Sequence, residues 1–170
     1  MRRHVDARMR IEGGLVSLHA PGDSVREEVA AMGSALFTTK AVYGNSASLM
    51  IATRPAGYHS LPHRHDCEQL NWLQAGELQV FIVDRAVRLQ AGDFLRIPAG
   101  ELHWSWNKSD GPCILVEVHS PGLQDDPLIK AYAVGLYDAG ETPEFLGSPV
   151  TEFLPPGSAF DPSASEKNAG

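Results

Sequence analysis

The sequence predicts an all-β fold, a sandwich or barrel of short strands, on three observations. Apolar and polar residues alternate with period two in seven short segments, which is the pattern of half-buried strands. Glycine, proline, aspartate or asparagine stands in most of the gaps between these segments. The 16 glycines and 12 prolines of the chain suit many tight turns better than long helices. No internal repeat is visible, so a single barrel is predicted.

The period-two segments lie in the middle of the 170 residues and divide the chain into three regions. Residues 1–45 are predicted to form an N-terminal arm, residues 46–120 the barrel core, and residues 121–170 a proline-rich C-terminal extension whose last residues are disordered. Within the core, strands are predicted at 48–54, 69–75, 77–84, 87–90, 94–97, 103–106 and 114–119.

Three segments outside the core carry predictions of their own. A short strand is predicted at 15–18, and one short helix at 25–32, because Asp23 or Ser24 can cap that helix and a glycine follows it. Residues 128–137 are predicted to form either a short helix or a strand.

The composition excludes several classes of protein. The formal net charge of −7 argues against a nucleic-acid partner, because phosphate binding requires a basic surface. No run of 18 apolar residues exists, so no membrane span is expected. The first ten residues lack the apolar stretch of a secretory signal, and a cytoplasmic location is the expectation. Cys67 and Cys113 are interpreted as unrelated thiols in a reducing compartment, with a redox pair or a soft metal ligand as the alternatives.

Three histidines and a glutamine have the spacing of a metal site. In a strand, residues two apart project to the same face, so His63 and His65 can point into one cavity, and Gln69 keeps their parity. Glu68 has the opposite parity and is expected to face away. A Pro-Ala-Gly turn precedes His103. Imidazole suits divalent transition metals, so these side chains predict one shared ion.

The two segments that hold these residues resemble the paired signatures of the cupin family. The first signature is glycine, five residues, His-x-His, three residues, an acidic residue, six residues and glycine, and it corresponds here to Gly57, His63, His65, position 69 and Gly76. The second is met without exception by Gly92, Pro98, Gly100, His103 and Asn107. The resemblance implies a double-stranded β-helix, or jelly-roll, barrel. It also implies one divalent transition metal (Fe, Mn, Zn or Ni) per chain near the barrel mouth, held by His63, His65, Gln69 and His103.

Gln69 departs from the family pattern, because the resemblance leads one to expect a glutamate there. Gln69 is interpreted as a ligand, with a cavity residue beside a three-histidine site as the alternative. Neutral ligands leave a divalent metal its full charge, which favours Lewis-acid chemistry of the lyase, isomerase or cyclase type on a small oxygenated (hydroxy, keto or carboxylate) metabolite. An Fe(II)-dependent dioxygenase and a non-catalytic small-ligand-binding cupin are the alternatives.

Further residues are candidates by their position around this site. Glu117 shares one strand face with His119 and is a candidate general acid or base. The candidate substrate-binding residues are Asn71, Tyr58, Arg54 and His59. Trp104 and Trp106 have the opposite parity to His103 and are predicted to pack between the sheets.

A homodimer and a small-molecule substrate are the expected partners. Exposed strand edges invite pairing, so the dimer is predicted to form through edge strands, with the arm and the extension able to wrap the neighbour.

Overall fold

The computed structural model describes residues 36–44, 46–122 and 144–156 in full, together with the backbone of three earlier strands. In these ranges the strands are β1 (Met9–Glu12), β2 (Leu15–Leu18), β3 (Val25–Ala31), β4 (Leu36–Tyr43), β5 (Ser48–Arg54), β6 (Glu68–Ala75), β7 (Glu77–Ile82), β8 (Arg85–Gln90), β9 (Phe94–Ile97), β10 (His103–Trp106), β11 (Cys113–Ser120), β12 (Glu144–Phe145) and β13 (Ser148–Pro149). A 3₁₀ helix, Val150–Phe153, follows β13. The all-β prediction is confirmed.

Two antiparallel sheets form the barrel. The larger has the order β3-β4-β5-β11-β6-β9 and the smaller the order β10-β7-β8. Strands distant in sequence are neighbours in both sheets, as the jelly-roll prediction requires. The sheets bury a shared apolar core between them, formed by Leu73, Leu78, Val80, Ile82, Leu89, Ile97, Cys113 and Leu115.

Strand parity decides which side chains reach the barrel interior. Along β11 the burial alternates, with Leu115, Glu117 and His119 buried and Val116 and Val118 half-buried on the opposite face. Successive residues of a strand point to opposite faces of its sheet, so Glu117 and His119 face inward together.

The helix predicted at 25–32 is wrong, because this segment is β3, paired along its whole length with β4. The alternating burial of β4 places Phe37, Thr39 and Ala41 inward, although the sequence reading proposed no strand there. A capping residue and a stop glycine are local signals, and strand pairing overrides them once a partner strand is available. The larger sheet therefore extends N-terminal to the predicted boundary at residue 46.

The predicted position of Trp104 and Trp106 between the sheets is also wrong. Trp104 has the predicted parity, but it stacks on Phe81 (ring centroids 4.8 Å apart, planes 3° apart) in a second cluster outside the core. Trp106 packs against the same cluster, which includes Phe145 and Leu154 of the C-terminal extension. Part of the extension thus folds onto the outer face of the smaller sheet.

The remaining predictions concern the other strands, the two cysteines, membrane spans and the C-terminal region. The strand at 15–18 is present as β2, and the seven predicted core strands match β5–β11 within two residues at each end. Cys67 and Cys113 are buried, free thiols, and burial raises the pKa of Cys67 to about 11. In the described ranges no helix is long and apolar enough to cross a bilayer. Residues 128–137 and the C-terminal end of the chain lie outside the described residues.

Candidate metal centre

Backbone hydrogen bonds bring the candidate histidines together from two distant segments. His63 and His103 form an isolated antiparallel pair, in which each amide donates to the other residue's carbonyl at 2.9 and 2.8 Å. The amide of Gly100 donates to the carbonyl of His65 at 2.8 Å. The turn before β10 is therefore fastened directly to the His-x-His segment.

The three imidazoles are held in one tautomer by one repeated contact. Each Nδ1 lies at hydrogen-bond distance from a carbonyl two residues away, at 2.7 Å for His63, 2.8 Å for His65 and 2.8 Å for His103. Because a carbonyl only accepts, Nδ1 carries the proton and Nε2 keeps its lone pair. The potential ligand atoms of the three side chains lie within 4.8 Å of one another. This arrangement is able to hold a metal ion.

Burial keeps the rings of His63 and His103 neutral. It lowers the pKa of His63 to about 4, and burial together with the neighbouring imidazoles lowers the pKa of His103 well below its ordinary value. The Nε2 atom of His103 is buried and has no hydrogen-bond partner in the described part of the chain. A buried lone pair without a donor carries a desolvation cost, and coordination of a cation would remove that cost.

The Gln69 amide is oriented by acceptors on its nitrogen side. Its Nε2 donates to Asn71 Oδ1 at 2.8 Å and to Glu117 Oε2 at 3.3 Å. Its Oε1 then lies 3.1 Å from His65 Nε2. In the tautomer that carries its proton on Nδ1, His65 offers only a lone pair at Nε2 to this oxygen, and a cation bound to both atoms would satisfy them. Neighbouring ligands of a metal with bonds of about 2.1 Å are roughly 3.0–3.4 Å apart, which matches this spacing.

Glu117 and Arg54 form a buried ion pair beside this amide. Arg54 Nη2 donates to Glu117 Oε1, and Arg54 Nη1 donates to Ser105 Oγ at 2.5 Å. The guanidinium carbon also lies 5.4 Å from the ring centroid of Tyr58. The pair adds no net charge to the site, and it occupies two nitrogens of the guanidinium that was predicted to bind substrate.

His119 completes the polar side of the interior. It lies opposite Gln69 in the register of β11 and β6, and its ring centroid is 5.4 Å from that of His65. Its Nε2 is 3.8 Å from Glu117 Oε2, while its buried Nδ1 has no partner among the described residues. Burial lowers the pKa of His119 to about 3, so the ring is neutral at pH 7.

These groups surround a cavity of about 90 Å³. A single water needs roughly 10–15 Å³ on the same measure, so the cavity has room for several waters or a small ligand. Apolar side chains complete the wall, and they include Phe37, Met50, Ile97 and Leu115.

The structure brings most of the predicted site residues to this cavity. The four candidate ligands line it, as do Glu117, Asn71, Tyr58 and Arg54. His59 does not, because it pairs with Trp106, whose side chain packs on the outer cluster. Ser60, Ser105 and Phe37 line the cavity but had no predicted role. The parity of Ser105 with His103 could have identified that serine.

Two other residues of the paired signatures hold the site's loops. Gly76 has φ +78°, and a Cβ there would lie 2.9 Å from Cys113 Cα, so a side chain cannot fit without a shift. The buried Asn107 side chain donates from Nδ2 to the carbonyls of Pro55 and Gly111 at 3.0 and 2.9 Å, fastening the loop after β10 to the end of β5.

Comparison with known proteins agrees with this architecture. Residues 50–119 match the family model of the cupin domain. The fold is similar to an RmlC-like cupin from Shewanella frigidimarina (TM-score 0.54, 20% identity, 62% of this chain and 92% of that one) and to KdgF from a Halomonas species (0.50, 20%, 52% and 82%). It is also similar to vicilin from hazelnut, Corylus avellana (0.52, 16%, 59% of this chain and 32% of that one). No curated protein sequence matches the chain. At these identities the structural likeness concerns the fold alone.

Proposed function

We propose that this chain, whose residues 50–119 match the cupin domain, binds one divalent transition metal ion through His63, His65, Gln69 and His103. We further propose that it is an enzyme that acts on a small oxygenated metabolite by Lewis-acid chemistry of the lyase, isomerase or cyclase type. The resident metal is drawn from Fe, Mn, Zn and Ni. We also propose a cytoplasmic location for the protein, which its two free, buried thiols support because thiols persist in a reducing compartment.

The metal proposal rests on one observation, which is that nitrogen and oxygen acceptors of the three histidines and Gln69 lie close together in the cavity. Three Nδ1 atoms are tied to carbonyls, the Nε2 of His103 has no described partner, and Gln69 Oε1 faces His65 Nε2 at 3.1 Å. A cluster of acceptors without donors is unfavourable in a buried site, and a cation is the group that satisfies all of them at once.

The charge inventory supports Lewis-acid chemistry. The proposed ligands are three neutral imidazoles and a neutral amide, and the charge of Glu117 is balanced by Arg54. A divalent ion bound there would keep its full charge and polarise an oxygen of the substrate. Glu117 is the acidic side chain lining the cavity in the described ranges, which makes it the candidate proton carrier.

Other lining groups are suited to binding an oxygenated ligand. Burial raises the pKa of Tyr58 to about 12, so its phenol stays a neutral hydrogen-bond donor at pH 7. Asn71 is buried and offers an amide, and the buried Nδ1 of His119 has no described partner. We propose that these three side chains contact the substrate and fix its orientation.

The metal proposal is tested by metal content after chelation and reloading. Wild-type protein is expected to take up one ion per chain, and His63→Ala and His103→Ala are expected to lose most of it. His59→Ala is the matched control, because His59 belongs to the same loop but does not line the cavity. Full metal content in both cavity variants would contradict the ligand assignment.

The reaction class is tested by oxygen uptake of the loaded protein. Lewis-acid chemistry leaves dissolved oxygen unchanged while hydroxy, keto or carboxylate substrates are converted or bound. Oxygen consumption with Fe(II) that depends on an added diketone or catechol would favour a dioxygenase instead.

A further inference from the structure

The inner wall of the cavity changes from polar to apolar between β11 and β5. In the register of the larger sheet, Asn71 of β6 lies opposite Glu117 of β11, and Glu117 lies opposite Met50 of β5. Beyond β5 lies β4, which contributes Phe37 to the same cavity. Met50 and Phe37 are called here the apolar wall. Because β11 separates β5 from β6, the apolar wall stands on the other side of Glu117 from Gln69.

The apolar wall combines one fixed side chain with one adaptable side chain. Phe37 is buried and packs with Tyr58, their ring centroids lying 5.2 Å apart, and Met50 packs against the same cluster. A buried aromatic pair has little freedom to move aside for a ligand. Methionine is flexible, and its thioether fits apolar groups of different shapes. The wall is therefore suited to a short apolar chain whose length the aromatic ring limits.

The polar side chains around the proposed metal ligands are paired with one another. Arg54 donates to Glu117 and to Ser105, and the hydroxyl oxygens of Ser105 and Ser60 lie 3.3 Å apart. Glu117 also accepts a hydrogen bond from the Gln69 amide. A ligand with several hydroxyl groups would have to break these pairs, or leave its own hydroxyls without partners against the apolar wall, and either outcome costs binding free energy. The cavity therefore disfavours polyhydroxylated ligands.

We propose that the substrate is a small hydroxy or keto acid with a short aliphatic chain, and that Met50 and Phe37 are the residues that select this chain. The inference rests on the proposed function and narrows its substrate class. The oxygenated end of the ligand lies among the proposed metal ligands, and the chain extends past Glu117 to the apolar wall. Burial of the chain there removes apolar surface of both the ligand and the wall from water.

Charge and volume support an acid of this size. The proposed ligands carry no charge and Arg54 balances Glu117, so a divalent ion bound there would attract an anionic end such as a carboxylate. The cavity has a volume of about 90 Å³, of which one water needs roughly 10–15 Å³, so an enclosed chain has only a few carbon atoms. An α-hydroxy acid with a short aliphatic chain meets both conditions.

Calorimetric titration of the zinc-loaded full chain with three acids of increasing length tests the proposal. Each carbon added from glycolate to lactate and to α-hydroxybutyrate is expected to lower the dissociation constant about fourfold, because one more methylene-sized group is buried. Glycerate has as many non-hydrogen atoms as α-hydroxybutyrate but ends in a hydroxyl group. It is expected to bind at least about tenfold more weakly than α-hydroxybutyrate, because that hydroxyl meets the apolar wall.

A polar replacement in the apolar wall supplies the discriminating variant. Met50→Gln keeps the length of the side chain, and it is expected to reduce the preference for α-hydroxybutyrate over glycerate at least about fivefold, while the affinity for glycolate stays within about twofold. Ile51→Gln is the matched control, because Ile51 is the next residue of β5, on the opposite face of the sheet and 37% exposed. Phe37→Leu widens the wall but keeps it apolar, so it is expected to retain the preference and to accept chains at least one carbon longer.

The outcomes separate this inference from the metal proposal. Equal affinity for glycerate and α-hydroxybutyrate in the wild type, or a preference that survives unchanged in both Met50→Gln and Phe37→Leu with no change in accepted chain length, would overturn the assignment of the apolar wall. Zinc uptake without binding of any of these acids would overturn the substrate class. A wild type that takes up no zinc would overturn the proposed function itself, and this inference with it.

Discussion

Replacing Gln69 by glutamate is the sharpest test of how the centre is organised. The substitution restores the acidic residue expected from the first signature, and by the resemblance alone it should be benign. The contacts predict the opposite for the metal-free protein. The amide nitrogen that now donates to Asn71 Oδ1 at 2.8 Å and to Glu117 Oε2 at 3.3 Å would become a carboxylate oxygen.

The magnitude follows from this geometry. Two unit negative charges at 3.3 Å repel by roughly 5 kcal/mol at an effective dielectric constant of 20. Protonation of one carboxyl relieves the repulsion, and holding a proton at pH 7 on a group with an ordinary pKa of 4.3 costs roughly 3.7 kcal/mol. Protonation costs less than the repulsion, so it sets the size of the penalty. Metal-free Gln69→Glu is therefore expected to lose about 3–4 kcal/mol of unfolding free energy at pH 7.

The assay is urea unfolding of the metal-free and metal-loaded proteins at several pH values. Because the retained proton binds more easily in acid, the penalty of Gln69→Glu should shrink by about 1.4 kcal/mol per pH unit between pH 7 and pH 5. Added metal should recover more stability in Gln69→Glu than in the wild type, because the new carboxylate neutralises cation charge. The swap variant Gln69→Glu/Glu117→Gln should remove the carboxylate repulsion. A metal-free Gln69→Glu as stable as wild type, with no pH dependence of the difference, would refute the proposed orientation of the amide.

Three further predictions concern stability. For metal-free protein, His63 and His119 have folded pKa values of about 4 and about 3 against 6.5 unfolded, so the unfolded chain binds more protons below pH 6.5. The unfolding free energy should therefore fall by about 1.2 kcal/mol per histidine between pH 6 and pH 5, and His119→Gln should remove one histidine's share of the slope in urea titrations. Asn107→Ala should cost about 2–4 kcal/mol in the same assay, because it leaves buried carbonyls without donors, whereas Ser109→Ala, which removes one hydroxyl contact to Asn107, should cost under about 1 kcal/mol. Leu146→Asn should raise the melting temperature through a gain of about 1 kcal/mol, because Leu146 (φ +52°) and Gly147 (φ +77°) form a hairpin turn that favours Asn-Gly; Leu146→Ile should lower it.

Local pattern was sufficient for the features that depend on strand parity. Alternation along 114–119 put Glu117 and His119 on one face, and that face is the interior. Parity is no guide where the chain is not a strand. His59, His63 and His65 all lie in the irregular segment between β5 and β6, and their positions are set there by backbone pairing with β10, not by their offsets in the sequence.

Long-range contacts account for the remaining errors. The segment 25–31 carries helix-like end signals, and only its pairing with β4 reveals it as a strand. Trp104 was predicted to lie between the sheets because its own strand gives no sign of the residue that packs on it. That residue is Phe145, 41 positions later in the chain. Such contacts join residues far apart in the chain, and no local window contains both partners.

The identity of residue 69 is explained by a residue 48 positions away. Asn71 lies opposite Glu117 in the register of β6 and β11, and this register brings the carboxylate to the amide nitrogen of Gln69. A carboxylate at 117 and an amide at 69 are therefore complementary, since one accepts the hydrogen bond that the other donates. Arg54 completes the arrangement by balancing the charge of Glu117 on its other oxygen. With acid at both positions a single arginine would face two like charges, and with amides at both it would be left buried without its counter-ion, which is the costlier state for a buried charge. The amide in the proposed ligand set is thus one member of a group of three side chains, and its effect on the centre should be measured with the other two in place.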